Sequence, residues 1–245
     1  MQGRTGSAPA SASCQLLALM RLKDPPLLCG AVLISGLVVI AGRLNGMPEL
    51  SWIFPALTIG LIAWSSWLRG RLANHYAQFV TLGLSISLVA DLLRLTGDQF
   101  LAGTALLMVA CLSYTRAFAA ELPLRLNAWP MLLTIALAAL LAAGLWPLLP
   151  PVAQAPVLAM VLILALMIGQ AVCRWRGAPP TSRAGARLAL LGALLIGLSI
   201  ALIIADTAFQ ALPLATLWIL STYWLGQAMI ALSVPMHTAD PVAVD

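Results

Sequence analysis

The sequence predicts an all-α, polytopic integral membrane protein: one bundle of about eight transmembrane helices, with both termini on the cytoplasmic side. Three observations carry this. Of the 245 residues, 62% are hydrophobic and only 9% are charged. Mean hydropathy is +0.99. The apolar residues fall in long runs, each closed by proline, glycine or charge. A soluble domain carries about 25% charged residues, so this chain has too few to cover a surface that faces water.

A helix needs roughly 20 apolar residues to cross a hydrocarbon core, and somewhat fewer where its flanks snorkel or the bilayer thins. Residues 1–26 read as a disordered or interfacial tail: MQGRTGSAPASASC is small and polar and lacks the apolar core of a cleaved or lipoprotein signal. The run CQLLALMRLK that follows could lie on the membrane as a short helix, stopped by Asp24-Pro25-Pro26. The predicted spans are Leu27–Gly42, Leu50–Leu68, Tyr76–Thr96, Phe100–Ala119, Ala128–Leu149, Val152–Cys173, Leu188–Phe209 and Pro213–Val234. They make one transmembrane domain over residues 27–234, and residues 235–245 form a C-terminal tail. Short connections make successive helices antiparallel neighbours, and the longest, RWRGAPPTSRAGAR, divides the spans into six plus two. Pro55 and Trp146-Pro147 predict kinks, because the ring removes a backbone donor. Gly83, Ser87 and Ala90 on the third span, and Gly192, Gly197 and Ser199 on the seventh, predict close helix packing.

Lys and Arg collect in cytoplasmic loops. Sorting the basic residues between alternate loops puts Arg4, Arg21, Lys23, Arg69, Arg71, Arg116, Arg125, Arg174, Arg176, Arg183 and Arg187 on one side. Only Arg43 and Arg94 fall on the other. This asymmetry accounts for the net charge of +5 without a nucleic-acid partner; the partner implied is the bilayer itself. Trp52, Trp67, Trp129, Trp146, Trp175 and Trp218 lie near span ends, where amphipathic rings mark the headgroup level. Cys14, Cys29, Cys111 and Cys173 are scattered with no CxxC pair, so neither a disulfide framework nor a metal site is indicated. No cofactor motif occurs.

Asp91 lies inside the third predicted span, where a charged side chain is costly unless paired, hydrated or protonated, and that makes it the first functional candidate. The other polar residues in the spans include Ser85, Ser87, Arg94, Cys111, Ser113, Tyr114, Ser199, Asp206, Thr207, Tyr223 and Gln227. Ser87 and Asp91 are one helical turn apart, as are Tyr223 and Gln227, so each pair shares a face. Arg94 follows Asp91 by three residues, and the alternative to a reactive carboxyl is a membrane-buried Asp91–Arg94 ion pair. For Tyr223 and Gln227 the alternative to substrate contact is hydrogen bonding between helices. Cys111 has no His or Lys nearby in sequence to stabilise a thiolate and reads as a small core residue.

Two blocks carry a resemblance, GLSISLVADLLRLTGDQFLAGTALLMVACLSYTRAF and GALLIGLSIALIIADTAFQALPLATLWILSTYWLGQAMIALS, with a weaker echo in FPALTIGLIAW. They resemble the YhhN, or lysoplasmalogenase, family of eight-span membrane proteins. Ser87, Asp91, Phe100, Gly103 and Tyr114 match in the first block; Gly192, Ala193, Ser199, Thr222, Tyr223 and Gln227 match in the second. The resemblance implies a bacterial inner-membrane location, a lysophospholipid substrate, and hydrolysis of the vinyl-ether bond of lysoplasmalogens to a fatty aldehyde and a glycerophospho-base. It makes Asp91 one of two expected intramembrane carboxylates. The other falls on Ile200, the family's intramembrane His falls on Cys111, and a Lys falls on Phe54. Asp206 is displaced roughly 240° around the helix from Ile200 at 100° per residue, so it is no simple substitute.

Enol-ether cleavage begins with protonation of carbon, which needs a general acid, and a carboxyl group in apolar surroundings can hold and then donate a proton. Asp91 is therefore the candidate catalytic residue, with Ser87, Cys111, Tyr114, Ser199, Asp206, Tyr223 and Gln227 as candidate substrate-binding or supporting residues in a cavity among the third, fourth, seventh and eighth spans. Two other functions compete. Loss of the polar groups at Phe54, Cys111 and Ile200 suits a non-catalytic relative that binds a lipid or a membrane partner. A small transporter using Asp91 and Asp206 as proton or cation sites is the third, although the halves show no internal repeat of the kind such proteins often carry.

Overall fold

Proline opens two of the helices and glycine or proline closes several, as the apolar runs require. The computed structural model describes residues 48–70, 72–95, 99–120, 128–208 and 213–236, with isolated positions between 30 and 42. Its helices are α1 (Pro48–Gly70), α2 (His75–Leu95), α3 (Phe100–Ala120), α4 (Ala128–Leu145), α5 (Pro151–Gly177), α6 (Arg183–Ala208) and α7 (Ala215–Leu232). Each corresponds to one predicted span from Leu50–Leu68 onward. Five of them, α2, α3, α5, α6 and α7, are long and apolar enough to cross a membrane, and α4 is a shorter apolar helix. Both predicted tails fall outside the described residues apart from Pro235 and Met236, as does most of the predicted first span, Leu27–Gly42.

Local chemistry sets the boundaries. Pro48 and Pro151 stand at first helical positions, where a missing N–H costs nothing. The α1–α2 turn passes through Leu72 at φ 56°, and Asn74 then caps α2, its Oδ1 accepting from Ala77 N at 2.8 Å. Trp146-Pro147 ends α4 in a 3-10 turn over Trp146–Leu148, which is how the predicted irregularity there is realised. Helix α1 remains helical through Pro55.

Six helices form a ring: α1 packs on α2, α2 on α3, α3 on α5, α5 on α6, α6 on α7, and α7 on α1. Helix α2 also meets α7 across the ring. Helix α4 stands outside, packed on α5. Strict succession of neighbours therefore fails at one point, where α3 passes to α5. The reason is that α4 is apolar on every side: Leu132, Leu133, Leu137 and Leu140 are all exposed, a face suited to acyl chains.

The α6–α7 contact brings two backbones close together. A Cβ on Gly192 would lie 2.6 Å from the Gly226 carbonyl oxygen, and one on Gly226 would lie 2.8 Å from that of Gly192. Only glycine at both positions permits this approach.

One end of the ring is locked by buried arginines. Arg69, in the last turn of α1, donates to the carbonyls of Val234 and Leu232 at 3.2 and 3.3 Å, beyond and at the end of α7. Arg174 of α5 is 2% exposed, donates to Tyr76 Oη at 3.1 Å, and lies over the Tyr76 ring 4.0 Å from its centroid. Tyr76 in turn hydrogen-bonds Ser233. Four helices meet in this cluster, and it places the ends of α1, α5 and α7 beside the start of α2, as alternating helix directions demand.

Candidate functional site

The site begins with a glycine. A Cβ on Gly83 of α2 would collide with the Tyr114 ring, so Gly83 is the space in which that ring lies across the α2–α3 interface. The ring brings the Tyr114 hydroxyl beside Ser87, one turn further along α2, with Oη and Oγ 3.3 Å apart. Tyr114 donates its one hydroxyl proton to Gln227 Oε1 at 2.6 Å, and Gln227 Nε2 donates to Ser87 Oγ at 3.2 Å. With the tyrosine proton committed to Gln227, the serine hydroxyl must be the donor to Tyr114 Oη. The result is a closed cycle in which Ser87 donates to Tyr114, Tyr114 to Gln227, and Gln227 to Ser87. All three side chains are buried, and the cycle ties α2, α3 and α7 together.

Asp91 stands one turn beyond Ser87 on α2 and is 14% exposed. Two groups attend its carboxyl. Arg94 Nη1 is 3.9 Å from Asp91 Oδ1, an ion pair by charge but longer than a hydrogen bond. From α7, which meets α2 directly, the Tyr223 hydroxyl lies within electrostatic reach of the same carboxyl. Tyr223 is 5% exposed, and its hydroxyl has no hydrogen-bond partner among the described residues. Cys111 is buried one turn before Tyr114 on α3 and lies near the Tyr114 side chain.

Six of the eight candidate residues thus converge: Ser87, Asp91, Cys111, Tyr114, Tyr223 and Gln227. The other two make different contacts. Ser199 of α6 donates to the Ile219 carbonyl of α7 at 2.9 Å and serves the α6–α7 contact. Asp206 lies two residues before the end of α6 and is partly buried. Ile200 lines an apolar groove of about 410 Å³ between α4, α5 and α6, together with Leu137, Leu141, Leu164, Ile168 and Ile204. Phe54 is partly buried against the core.

The burial of two arginines, the part played by Gly103 and the burial of Trp224 were not evident from sequence. Arg69 and Arg174 look like ordinary loop-flanking charges, and only the fold shows them buried. Gly103 is buried on α3, where a Cβ would collide with the Arg94 side chain. Trp224 is 1% exposed, and its Nε1 has no hydrogen-bond partner among the described residues. No group of His, Cys, Asp and Glu among the described residues is arranged to hold a metal ion.

Ring and site together define a helical membrane protein with a polar, carboxyl-bearing site buried between α2, α3 and α7. The model of the YhhN family matches residues 50–234, which span all seven helices apart from the first two residues of α1. The chain belongs to the YhhN family. No curated protein and no solved structure matches it.

Proposed function

We propose that the protein is a lysoplasmalogenase-type hydrolase that cleaves the vinyl-ether bond of a lysoplasmalogen. The observation that carries this reading is the Asp91 carboxyl, held between helices at the edge of a satisfied polar cycle and faced by the unpartnered Tyr223 hydroxyl. Apolar surroundings favour the uncharged form of a carboxyl group, which is the form an enol ether requires of its acid.

The reaction follows from one carboxyl group used twice. Asp91 gives its proton to the vinyl carbon remote from oxygen, and the electron pair of the double bond forms the new C–H bond. The oxocarbenium ion so produced is balanced by the Asp91 carboxylate. Water adds to the carbon bonded to oxygen and surrenders a proton to that carboxylate. The resulting hemiacetal collapses to a fatty aldehyde and the free hydroxyl of a glycerophospho-base, and Asp91 ends as it began. Tyr223 is the group placed to orient the carboxyl. Ser87, Tyr114 and Gln227 hold α2, α3 and α7 in register, and the Ser87 and Tyr114 hydroxyl protons are committed within the cycle.

The positive-inside pattern supports a plasma-membrane protein whose arginine-rich end, with Arg69, Arg116, Arg174, Arg176, Arg183 and Arg187, faces the cytoplasm. Asp91 then opens toward the outer half of the bilayer, and substrate reaches it from the lipid phase.

The test is aldehyde release from a vinyl-ether lysolipid by the purified protein in detergent, with Asp91→Asn as the comparison. One observation favours a second reading. Ile200, where a second carboxylate would be expected, lies in an apolar groove, which suits a relative that binds the lipid without cleaving it. Tight binding of the lysolipid with no aldehyde released by the wild-type protein would select that reading.

A further inference from the structure

Asp91 and Arg94 are three residues apart on α2, a rise of about 4.5 Å along the helix axis, with Arg94 next to the final residue, Leu95. Arg94 is the more open of the two, 25% exposed against 14%. Its stem is held in place: Gly103 of α3 is buried, and a Cβ there would collide with Arg94 Cγ and come within 2.8 Å of the Ala90 carbonyl oxygen. Glycine at 103 is the slot that keeps the guanidinium at the outer edge of the site. An independent observation points to a ligand in the same place. The Tyr223 hydroxyl is buried beside the Asp91 carboxyl and Gln227 and makes no hydrogen bond of full geometry to either among the described residues, and a buried polar group so loosely paired leaves room for a ligand atom as a partner.

Resting on the hydrolase reading above, we propose that Arg94 binds the phosphate of a lysophospholipid headgroup while the linkage at the first glycerol carbon lies against Asp91. In such a lipid the ether oxygen and the phosphate are separated by the glycerol backbone alone, a span close to the rise of about 4.5 Å between the two residues. Guanidinium and phosphate match in charge and in bidentate geometry, whereas the 3.9 Å approach of Arg94 to Asp91 has not closed into a hydrogen bond. Arg94 has other interactions as well, so phosphate binding is an exchange of partners. That exchange draws the guanidinium from Asp91 and leaves the carboxyl without its counter-charge, the setting in which apolar surroundings favour the neutral acid. Headgroup binding thereby prepares the group that the first chemical step consumes.

The experiment uses the full-length protein and two uncleavable saturated ethers, hexadecyl lysoglycerophosphocholine and hexadecyl glycerol, with equilibrium binding read by native mass spectrometry. The wild-type protein should prefer the phosphate-bearing ether, and Arg94→Gln should weaken that ligand about tenfold or more while leaving hexadecyl glycerol unchanged. Arg94→Lys, which keeps the charge, should retain most of the preference. Absence of a preference in the wild type, or an unchanged preference in Arg94→Gln, overturns the proposal. Loss of both ligands by Arg94→Gln also overturns it, because the residue then serves the fold. Neither ligand is cleaved, so a protein that shows the Arg94-dependent preference but releases no aldehyde from a vinyl-ether lysolipid keeps this inference and loses the hydrolase reading.

Discussion

Gln227 Nε2 donates to Ser87 Oγ at 3.2 Å across 140 residues of sequence, closing a cycle that passes through the Tyr114 hydroxyl. Each member donates once and accepts once within it, so removal of any one orphans two others. Tyr114→Phe preserves the ring packed over Gly83 and should cost about 1–2 kcal/mol through the groups left unpaired. Thermal unfolding in detergent measures it. Adding Gln227→Leu to Tyr114→Phe should cost less than Gln227→Leu costs alone, and strict additivity of the two changes would mean that the cycle does not act as a unit.

The glycine pair of α6 and α7 sets a second expectation. Gly226→Ala places a methyl group 2.8 Å from the Gly192 carbonyl oxygen, so the helices must separate. We expect a loss of about 1–3 kcal/mol, seen as a lower unfolding midpoint. Gly144, with nothing within 4 Å of its added Cβ, is the control, and Gly144→Ala should leave the midpoint unchanged or raise it. Equal effects at the two sites would contradict the close contact.

Ile200→Asp tests whether the missing carboxylate can be restored by a single change. Ile200 lines the groove between α4, α5 and α6, so a carboxyl there meets leucine and isoleucine. The variant should lose about 2–3 kcal/mol and gain no aldehyde release. A rise in turnover would place residue 200 in the same site as Asp91.

At the other end of the ring, Arg69→Met removes the donor to the carbonyls of Leu232 and Val234. The end of α7 should fray, which amide hydrogen exchange over residues 229–236 would register as faster exchange while α3 stays protected. Unchanged exchange at the end of α7 would show that the arginine is not its cap.

Much of the fold was legible in sequence because membrane spans announce themselves through length and hydropathy. The helices begin and end within a few residues of the predicted spans except where α5 and α6 extend into the basic linker. Periodicity also put Ser87 with Asp91 and Tyr223 with Gln227 on shared faces. It could not show that Tyr223 and Gln227 play different parts, since that depends on where Tyr114 of a third helix spends its proton. The burial of Arg69 and Arg174 was equally hidden: an arginine flanking a span reads as a headgroup anchor, and only the ring's closure turns it inward onto α7 or Tyr76. Helix α4 is the most apolar of the helices, yet the short connections on either side of it predicted strict succession, and only packing shows it outside the ring on α5.

The Asp91 carboxyl as proton donor is tested most directly by the long-chain aldehyde released from a vinyl-ether lysolipid by wild-type protein and by Asp91→Asn. Asparagine keeps the size of the side chain and removes the acid. The account predicts release by the wild type and a fall of at least about 100-fold in the variant, within the range that general acid catalysis supplies, with an unfolding midpoint that stays or rises. Equal release by the two proteins would contradict it.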